Sequence, residues 1–409
     1  MKYNYIDLFA GCGGLSEGFE KSKLFEGLAF VEWEKFPCQT LKKRLVEKWK
    51  YKNTDEKVIR FDIHRTKELL NGWKDDNNFQ SGIGLKKLIG TKKVDLVIGG
   101  PPCQAYSIAG RVRDNNKMND DYRNYLFESY LEVVKSFKPK LIIFENVEGI
   151  LSAKPGGVSI IDRISDSFQK VGYDISTKLR EEAMFNVSEY GIPQNRKRII
   201  ILGVSKKHYG SNTQKILKDF YENIIPSFKV KKKTTVEDSI FDLPKLFPLS
   251  TPTKKESHKI IQNSKILNHS PRFHSQRDIK IFSELAKDVE NGSKKYPDVQ
   301  SLIELYKKET GKESKFHKYN VLNRNKPSNT IPAHLYKDGL RHIHPDYKQG
   351  RSITVREAAR LQTFPDDMEF LGSMGEQYKM IGNAVPPKFS EIISSSIIKL
   401  LKKWIVIFI

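Results

Sequence analysis

The chain has few cysteines and no long apolar run. Only Cys12, Cys38 and Cys103 occur in 409 residues. The number is odd and no Cys-x-x-Cys pair is present. That excludes a disulfide framework and makes a reducing, cytosolic compartment the simplest expectation. No stretch approaches the ~20 apolar residues of a membrane span. The N-terminus MKYNYIDLFAG has too short an apolar segment, with the wrong flanks, for a secretory signal. The apolar end Trp404–Ile409 is also short and reads as a packed terminus rather than an anchor. No internal repeat is visible. Acidic residues are outnumbered, 49 against 71 Lys plus Arg, for a formal net charge of +22. Such a surplus favours a polyanionic partner, nucleic acid ahead of acidic lipid. Charge alone separates neither DNA from RNA nor an enzyme from a binding protein. At 38% hydrophobic residues the chain is too apolar for disorder and too polar to be membrane-embedded. Its length corresponds to two or three domains.

Short apolar runs alternate with amphipathic stretches through the first half. Strands are expected at Tyr3–Phe9, Leu28–Val31, Val58–Asp62, Val94–Ile98, Leu141–Phe144 and Ile199–Val204. Helices are expected from about Leu15 and at Phe36–Trp49, Tyr122–Phe137 and Ser159–Val171. Strands alternating with helices imply a parallel sheet covered on both faces. Near Lys206 the pattern becomes basic, polar and weakly periodic, with Lys231–Lys232–Lys233 and with Arg272, His274 and Arg277 close together. Helices are expected there at Asp278–Val289 and Val299–Lys308, and later at Thr354–Leu361 and Phe389–Lys399. A middle domain inserted before the last helices of the first explains this order.

Four constellations carry chemistry. Asp7–Leu–Phe9–Ala–Gly11–Cys–Gly13–Gly14 follows the first strand, and its glycines let backbone approach a bound cofactor. It is not a P-loop, because no GK[ST] follows. Glu32, ending the second strand, suits ribose hydroxyls, and Asp62, beyond the third, suits an adenine amino group. Gly99–Gly100–Pro101–Pro102–Cys103–Gln104 presents one cysteine from a stiff strand exit. A thiolate there is a nucleophile suited to an electrophilic carbon. Cys12 and Cys38 fit inert, buried roles better. Glu145–Asn146–Val147 follows the next strand, so parallel pairing puts Glu145 and Cys103 on one sheet edge. Gln194–Asn–Arg196–Lys–Arg198 enters the strand Ile199–Val204 and can aim two arginines at one site.

Together these motifs resemble the cytosine-5 DNA methyltransferase family of the bacterial restriction-modification type, in residues and in order. DLFAGCGG resembles its methyl-donor loop and GPPCQ its catalytic motif. ENV at Glu145–Val147 and QNRKR at Gln194–Arg198 resemble the next two. Asp121–Leu126 resembles the helix after the catalytic loop. Arg351–Asp367 resembles the motif after target recognition, and GNAVPP at Gly382–Pro387 the final motif. The resemblance covers roughly the first half and the last quarter of the chain.

The resemblance implies a Rossmann-like S-adenosylmethionine-dependent methyltransferase fold. Its sheet is mixed but mostly parallel, with helices on both faces and a smaller inserted target recognition domain. The implied division is 1–226 for catalysis and cofactor, 227–318 for target recognition, and 319–409 for a return segment and C-terminal helices completing the catalytic domain. It implies S-adenosylmethionine, with no metal, held by Phe9, Gly11, Cys12, Gly13, Glu32, Trp33, Asp62, Ile63, Pro101, Asn383 and Val385. It implies Cys103, Glu145, Arg196 and Arg198 as catalytic residues acting on a cytosine flipped from duplex DNA. Gln104, Ser107, Arg111 and Arg113 would face DNA from a loop that also holds Lys117, and Arg272, Gln276 and Arg277 would read bases. A specific double-stranded site, pairing with a restriction endonuclease and a cytoplasmic, nucleoid-associated location in bacteria follow as expectations. So does the lack of a regulatory domain ahead of a first motif that starts almost at residue 1. Two rivals stand beside this reading: a tRNA cytosine-5 methyltransferase on the same scaffold, and a catalytically inactive DNA-binding protein. An NAD-linked dehydrogenase, suggested by the glycine turn alone, leaves Cys103, Glu145 and Arg198 unexplained.

Overall fold

The apolar runs of the first half assemble into a sheet in the structure, a computed structural model that describes residues 2–102, 126–154, 157–253, 255–260, 266–313, 318–337 and 339–405. The strands are β1 (Tyr3–Leu8), β2 (Phe25–Glu32), β3 (Val58–Arg60), β4 (Leu96–Gly99), β5 (Leu141–Val147), β6 (Tyr173–Asp174), β7 (Met184–Asn186) and β8 (Lys197–Ser205). Their neighbour order is β3-β2-β1-β4-β5-β8-β6, with β7 also on β8. β1 to β5 pair in parallel, whereas β8 runs antiparallel to β5. The alternation of strands and helices implies a parallel sheet covered on both faces, and β1 to β5 form one. The mixed sheet implied by the family resemblance is the one observed. Ile98, Ile142, Ile143, Phe144 and Ile199–Leu202 are fully buried, as expected of strands covered on both faces.

Contacts divide the chain into two compact units: Met1–Tyr190, Arg196–Val230 and Ala384–Ile409 form one, Gly191–Asn195 and Lys231–Asn383 the other. The first holds the sheet and the helices α1 (Gly14–Lys21), α2 (Lys35–Glu47), α3 (Leu126–Phe137) and α4 (Ile160–Lys170). The C-terminal helix Pro387–Ile405 returns to α1. There a Cβ on Gly18 would lie 2.3 Å from Ser390 backbone, and Ser394 Oγ donates to Gly18 O at 3.0 Å. Only glycine permits that approach.

The second unit contains a short hairpin, β9 (Leu246–Pro248) with β10 (His258–Ile260), and the helices α5 (Gln276–Asn291), α6 (Val299–Thr310), α7 (Val355–Leu361) and α8 (Met374–Asn383). Ile281, Phe282, Leu285, Leu305 and Ile343 form one of its apolar clusters. The return segment 319–383, expected to complete the first domain, packs within this second unit instead. Its polar side chains explain why. Arg351 makes a fully buried bidentate pair with Glu357, at 2.6 and 2.7 Å, and also donates to Gln349 Oε1. Glu357 completes a capping box with Thr354, and Thr354 Oγ1 meets His269 Nδ1 at 3.0 Å. His258 Nε2 donates to Gln349 O at 2.8 Å. These bonds join the chain before α5 to the arginine-rich motif after it.

Burial would push Glu357 up, but the adjoining Arg351 guanidinium and His344 outweigh it and hold the carboxyl well below the usual range. Burial pushes His274 and His344 down to about 3, so both stay neutral at physiological pH. Unfolded histidine takes a proton near pH ~6.5. The stabilisation is therefore complete above that pH and is lost as pH falls from there toward about 3. We expect thermal unfolding at about pH 5 to show a loss on the order of 2 kcal/mol per histidine relative to about pH 7.5. Replacing His344 with Asn should flatten that dependence, as read from melting temperature against pH.

Candidate active site

The antiparallel turn of β8 builds the centre of the site. Because it runs opposite to β5, its first residues lie beside the last residues of β5, with Val147 opposite Arg198. Arg198 Nε is 2.7 Å from Glu145 Oε1, and both side chains are nearly buried. Burial pushes the Glu145 carboxyl up, opposed by Arg198 and then Arg196. Such a group can exchange a proton with a bound base without leaving the sheet edge. Arg196 is 1% exposed and donates from Nη2 to Ala384 O at 3.2 Å. Glu145–Val147 are the last three residues of β5 itself, not a loop beyond it. The ladder between β4 and β5 ends at Gly99 opposite Phe144. Just beyond, a Cβ on Gly100 would lie 2.5 Å from Glu145 Oε2. Pro101 follows, buried; Cys103, Gln104, Ser107, Arg111, Arg113 and Lys117 lie outside the described residues.

The glycine turn lies two strands away on the same edge. Phe9, Gly11 and Gly13 have φ of 61°, 55° and 90°, a left-handed path that reverses the chain from β1 into α1. A Cβ on Gly13 would strike Leu41 at 2.7 Å, whereas one on Gly11 would meet open space. Glu32 clips this turn: Gly11 N donates to Oε2 at 2.8 Å, and Trp33 N and Glu34 N donate to Oε1 at 2.9 and 2.8 Å. Trp33 is 49% exposed beside it. Asp62 Oδ1 accepts from His64 N at 2.9 Å, and Ile63 is buried. Val385, buried, presents its carbonyl to α1, so that a Cβ on Gly14 would lie 2.5 Å from it. Asn383 is the exposed last residue of α8. Cys12 is buried, and burial pushes its thiol up to about 12, as suits a packing role. Cys38 is likewise pushed up to about 12.

The family model for the C-5 cytosine-specific DNA methylase matches residues 3–399. The chain belongs to that family. It is a DNA (cytosine-5) methyltransferase, dependent on S-adenosylmethionine and using a catalytic cysteine. It is 34% identical to the type II methyltransferase M.Bpa9945I of Bacillus paralicheniformis over 96% of this chain and 98% of that protein. It is 32% identical to M1.HphI of Haemophilus parahaemolyticus, over 98% of this chain and 88% of that one. Among solved structures it resembles in fold an E. coli prophage protein assigned as a DNA modification methyltransferase. The TM-score is 0.65 at 24% identity, covering 98% of this chain and all of the other. Dnmt2 of S. pombe shares the fold at a TM-score of 0.54 and 14% identity, covering 98% and 99%.

In this methylase the residues expected to read bases lie in the second unit, and two are already engaged there. Arg272 donates to Leu335 O at 3.3 Å and Tyr336 O at 2.8 Å. Arg277 pairs with its neighbour Asp278 and lies 5.8 Å over the Tyr306 ring. Gln276, first in α5, is exposed, and so is Phe273, at 51%. Asp7 opens the glycine motif, but nothing in the sequence marked it as buried. This carboxyl is 1% exposed, accepts from Ser16 Oγ, and has no partner on Oδ1 among the described residues. Burial pushes it up to about 8.

Two substitutions test the edge. Arg198→Gln removes the nearer cation, so Glu145 rises further and the pH profile of methyl transfer should move to higher pH. Removing one partner of a buried pair should also cost about 3 kcal/mol, read from chemical denaturation. Gly100→Ala should push Glu145 aside and slow transfer by about 10–100-fold, with cofactor affinity unchanged by calorimetry.

Proposed function

We propose that this methylase acts on one flipped-out cytosine within a specific short duplex sequence, through a covalent bond from Cys103 to C6. The observation that carries this reading is the Glu145–Arg198 pair at the end of β5, beside the end of β4, from which the chain runs on in sequence to Cys103. Cytosine C5 is a poor nucleophile. Addition of the Cys103 thiolate at C6 gives it enamine character, provided that the charge reaching N3 is met. Glu145 would hold N3 and the exocyclic amine, with a carboxyl that burial inclines toward the protonated form. Arg198 fixes the orientation of Glu145, and Arg196 adds positive potential beside it. After transfer a base, water included, removes the C5 proton, and Cys103 leaves.

The glycine turn fits the methyl donor. Space opens over Gly11, the Glu32 carboxylate keeps lone pairs beyond its three amides, and Trp33 offers an exposed ring. Glu32 would take the ribose hydroxyls and Asp62 the adenine amine. Phe9, Gly11, Cys12, Gly13, Trp33, Ile63, Pro101, Asn383 and Val385 would complete the pocket. When bound, S-adenosylmethionine supplies an electrophilic sulfonium methyl. None of these roles needs a metal. The second unit would recognise the target. Its lysines would serve phosphates, and Gln276, with Arg272 and Arg277 where they can be released, would reach base edges. Bacterial type II relatives support a protective pairing with a restriction endonuclease, and a cytoplasmic, nucleoid-associated location would follow from acting on bacterial DNA. No helix among the described residues is long and apolar enough to cross a membrane.

Bisulfite sequencing of DNA from cells expressing the chain should show one cytosine methylated in one short motif. The parent protein should form a covalent adduct with a 5-fluorocytosine duplex that Cys103→Ser does not form. Transfer to tRNA alone would sink the DNA reading, and no adduct with no transfer would sink the enzyme.

A further inference from the structure

We propose that Asn146 is a positioning residue for methyl transfer: its side-chain amide holds the carbonyl of Pro101 and so sets where the chain leaves β4 on its way to Cys103. The inference rests on the assignment of Cys103 as nucleophile given above.

Among the described residues, side chains of β5 hold the exit of β4. The β4–β5 ladder ends at Gly99 opposite Phe144. The next residues are Gly100, Pro101 and Pro102, and neither proline has an N–H to extend the ladder. Beyond the ladder, side chains of β5 take over. Asn146 is 2% exposed, and its Nδ2 donates to Pro101 O at 3.2 Å. Its Oδ1 accepts from Val147 N at 2.9 Å. A carbonyl on one side and an N–H on the other define the amide orientation, because a flip would set acceptor against acceptor and donor against donor. Glu145, one residue earlier and on the opposite face of the strand, meets Gly100 so closely that a Cβ there would lie 2.5 Å from Oε2. Successive residues of β5 thus engage successive residues of the β4 exit. Glu145 is the group expected to touch the base, and Asn146 registers the nucleophile-bearing segment against it. A misplacement of about 1 Å between two such groups can cost on the order of 10²-fold in rate.

The test compares parent, Asn146→Ala and Asn146→Asp in single-turnover methyl transfer to duplex DNA and in the rate of adduct formation on a 5-fluorocytosine duplex. Cofactor affinity, DNA affinity and melting temperature are measured alongside. We expect Asn146→Ala to slow transfer and adduct formation together by about 10–100-fold, while both affinities stay within about 3-fold. Asn146→Asp keeps the shape but cannot donate when ionised. Relative to the parent's own profile, which absorbs titration of Glu145 beside Arg198 and Arg196, its deficit should shrink as pH falls and the carboxyl becomes a donor. Parent-like rates in both variants would overturn the proposal. So would a pH-independent deficit in Asn146→Asp, or a loss matched by equal losses of cofactor and DNA affinity, since those mark a purely structural asparagine. Absence of an adduct with the parent itself would instead overturn the reading of Cys103.

Discussion

A carboxyl group buried at the end of a parallel strand needs a cation delivered from the next strand, and the Glu145–Arg198 pair meets that need. The rest of the catalytic edge depends on it. In an all-parallel sheet the neighbour of β5 would bring its last residues, not its first, to this edge. Antiparallel β8 brings QNRKR there instead, with Arg198 opposite Val147. The pair is a poor investment for stability alone, since desolvation of two charges offsets most of their attraction. What it secures is a carboxyl of defined orientation, pushed up by burial and pulled back by two guanidinium groups.

The donor turn obeys a different constraint, close backbone approach. Gly13 against Leu41, Gly14 against the Val385 carbonyl and Gly18 against Ser390 leave no room for a side chain. The last residues of the chain therefore return to the first helix. That contact brings Ala384–Ser394, near one end of the sequence, against the helix that follows DLFAGCGG, near the other. Glu32 adds the polar half by collecting three backbone amides around the turn.

In the second unit the arginine-rich motif has a structural use that its composition disguises. Arg351, Arg356 and Glu357 are among the most deeply buried polar residues; the two arginines donate to backbone and side-chain acceptors, and Glu357 accepts from Arg351 and from Thr354 N. Arg272, expected to face DNA, is spent in the same way on two carbonyls. The chain carries a net charge of +22, yet charge composition cannot tell an arginine that cross-links loops from one that meets DNA.

Six of the eight strands of the large sheet and the order of the motifs were legible in the chain itself, because apolar runs and motif spacing are local properties; the short β6 and β7 were not. Asp278–Val289 and Val299–Lys308 were recognisable as helices for the same reason, and the structure extends them to Gln276–Asn291 and Val299–Thr310. The helix Met374–Asn383 and the hairpin Leu246–Pro248 with His258–Ile260 were not recognised; the hairpin strands are too short for periodicity to show. The unit boundary was not legible either, because the pairing of His269 with Thr354 and of Arg351 with Glu357 joins residues whose partnership no spacing announces. By itself the sequence determined the kind of chemistry, since Cys103, Glu145 and the two arginines are defined by type and order. Tertiary structure alone decided which arginines stand at the β5 edge and which cross-link loops, because burial and strand direction are properties of packing between segments far apart in the chain.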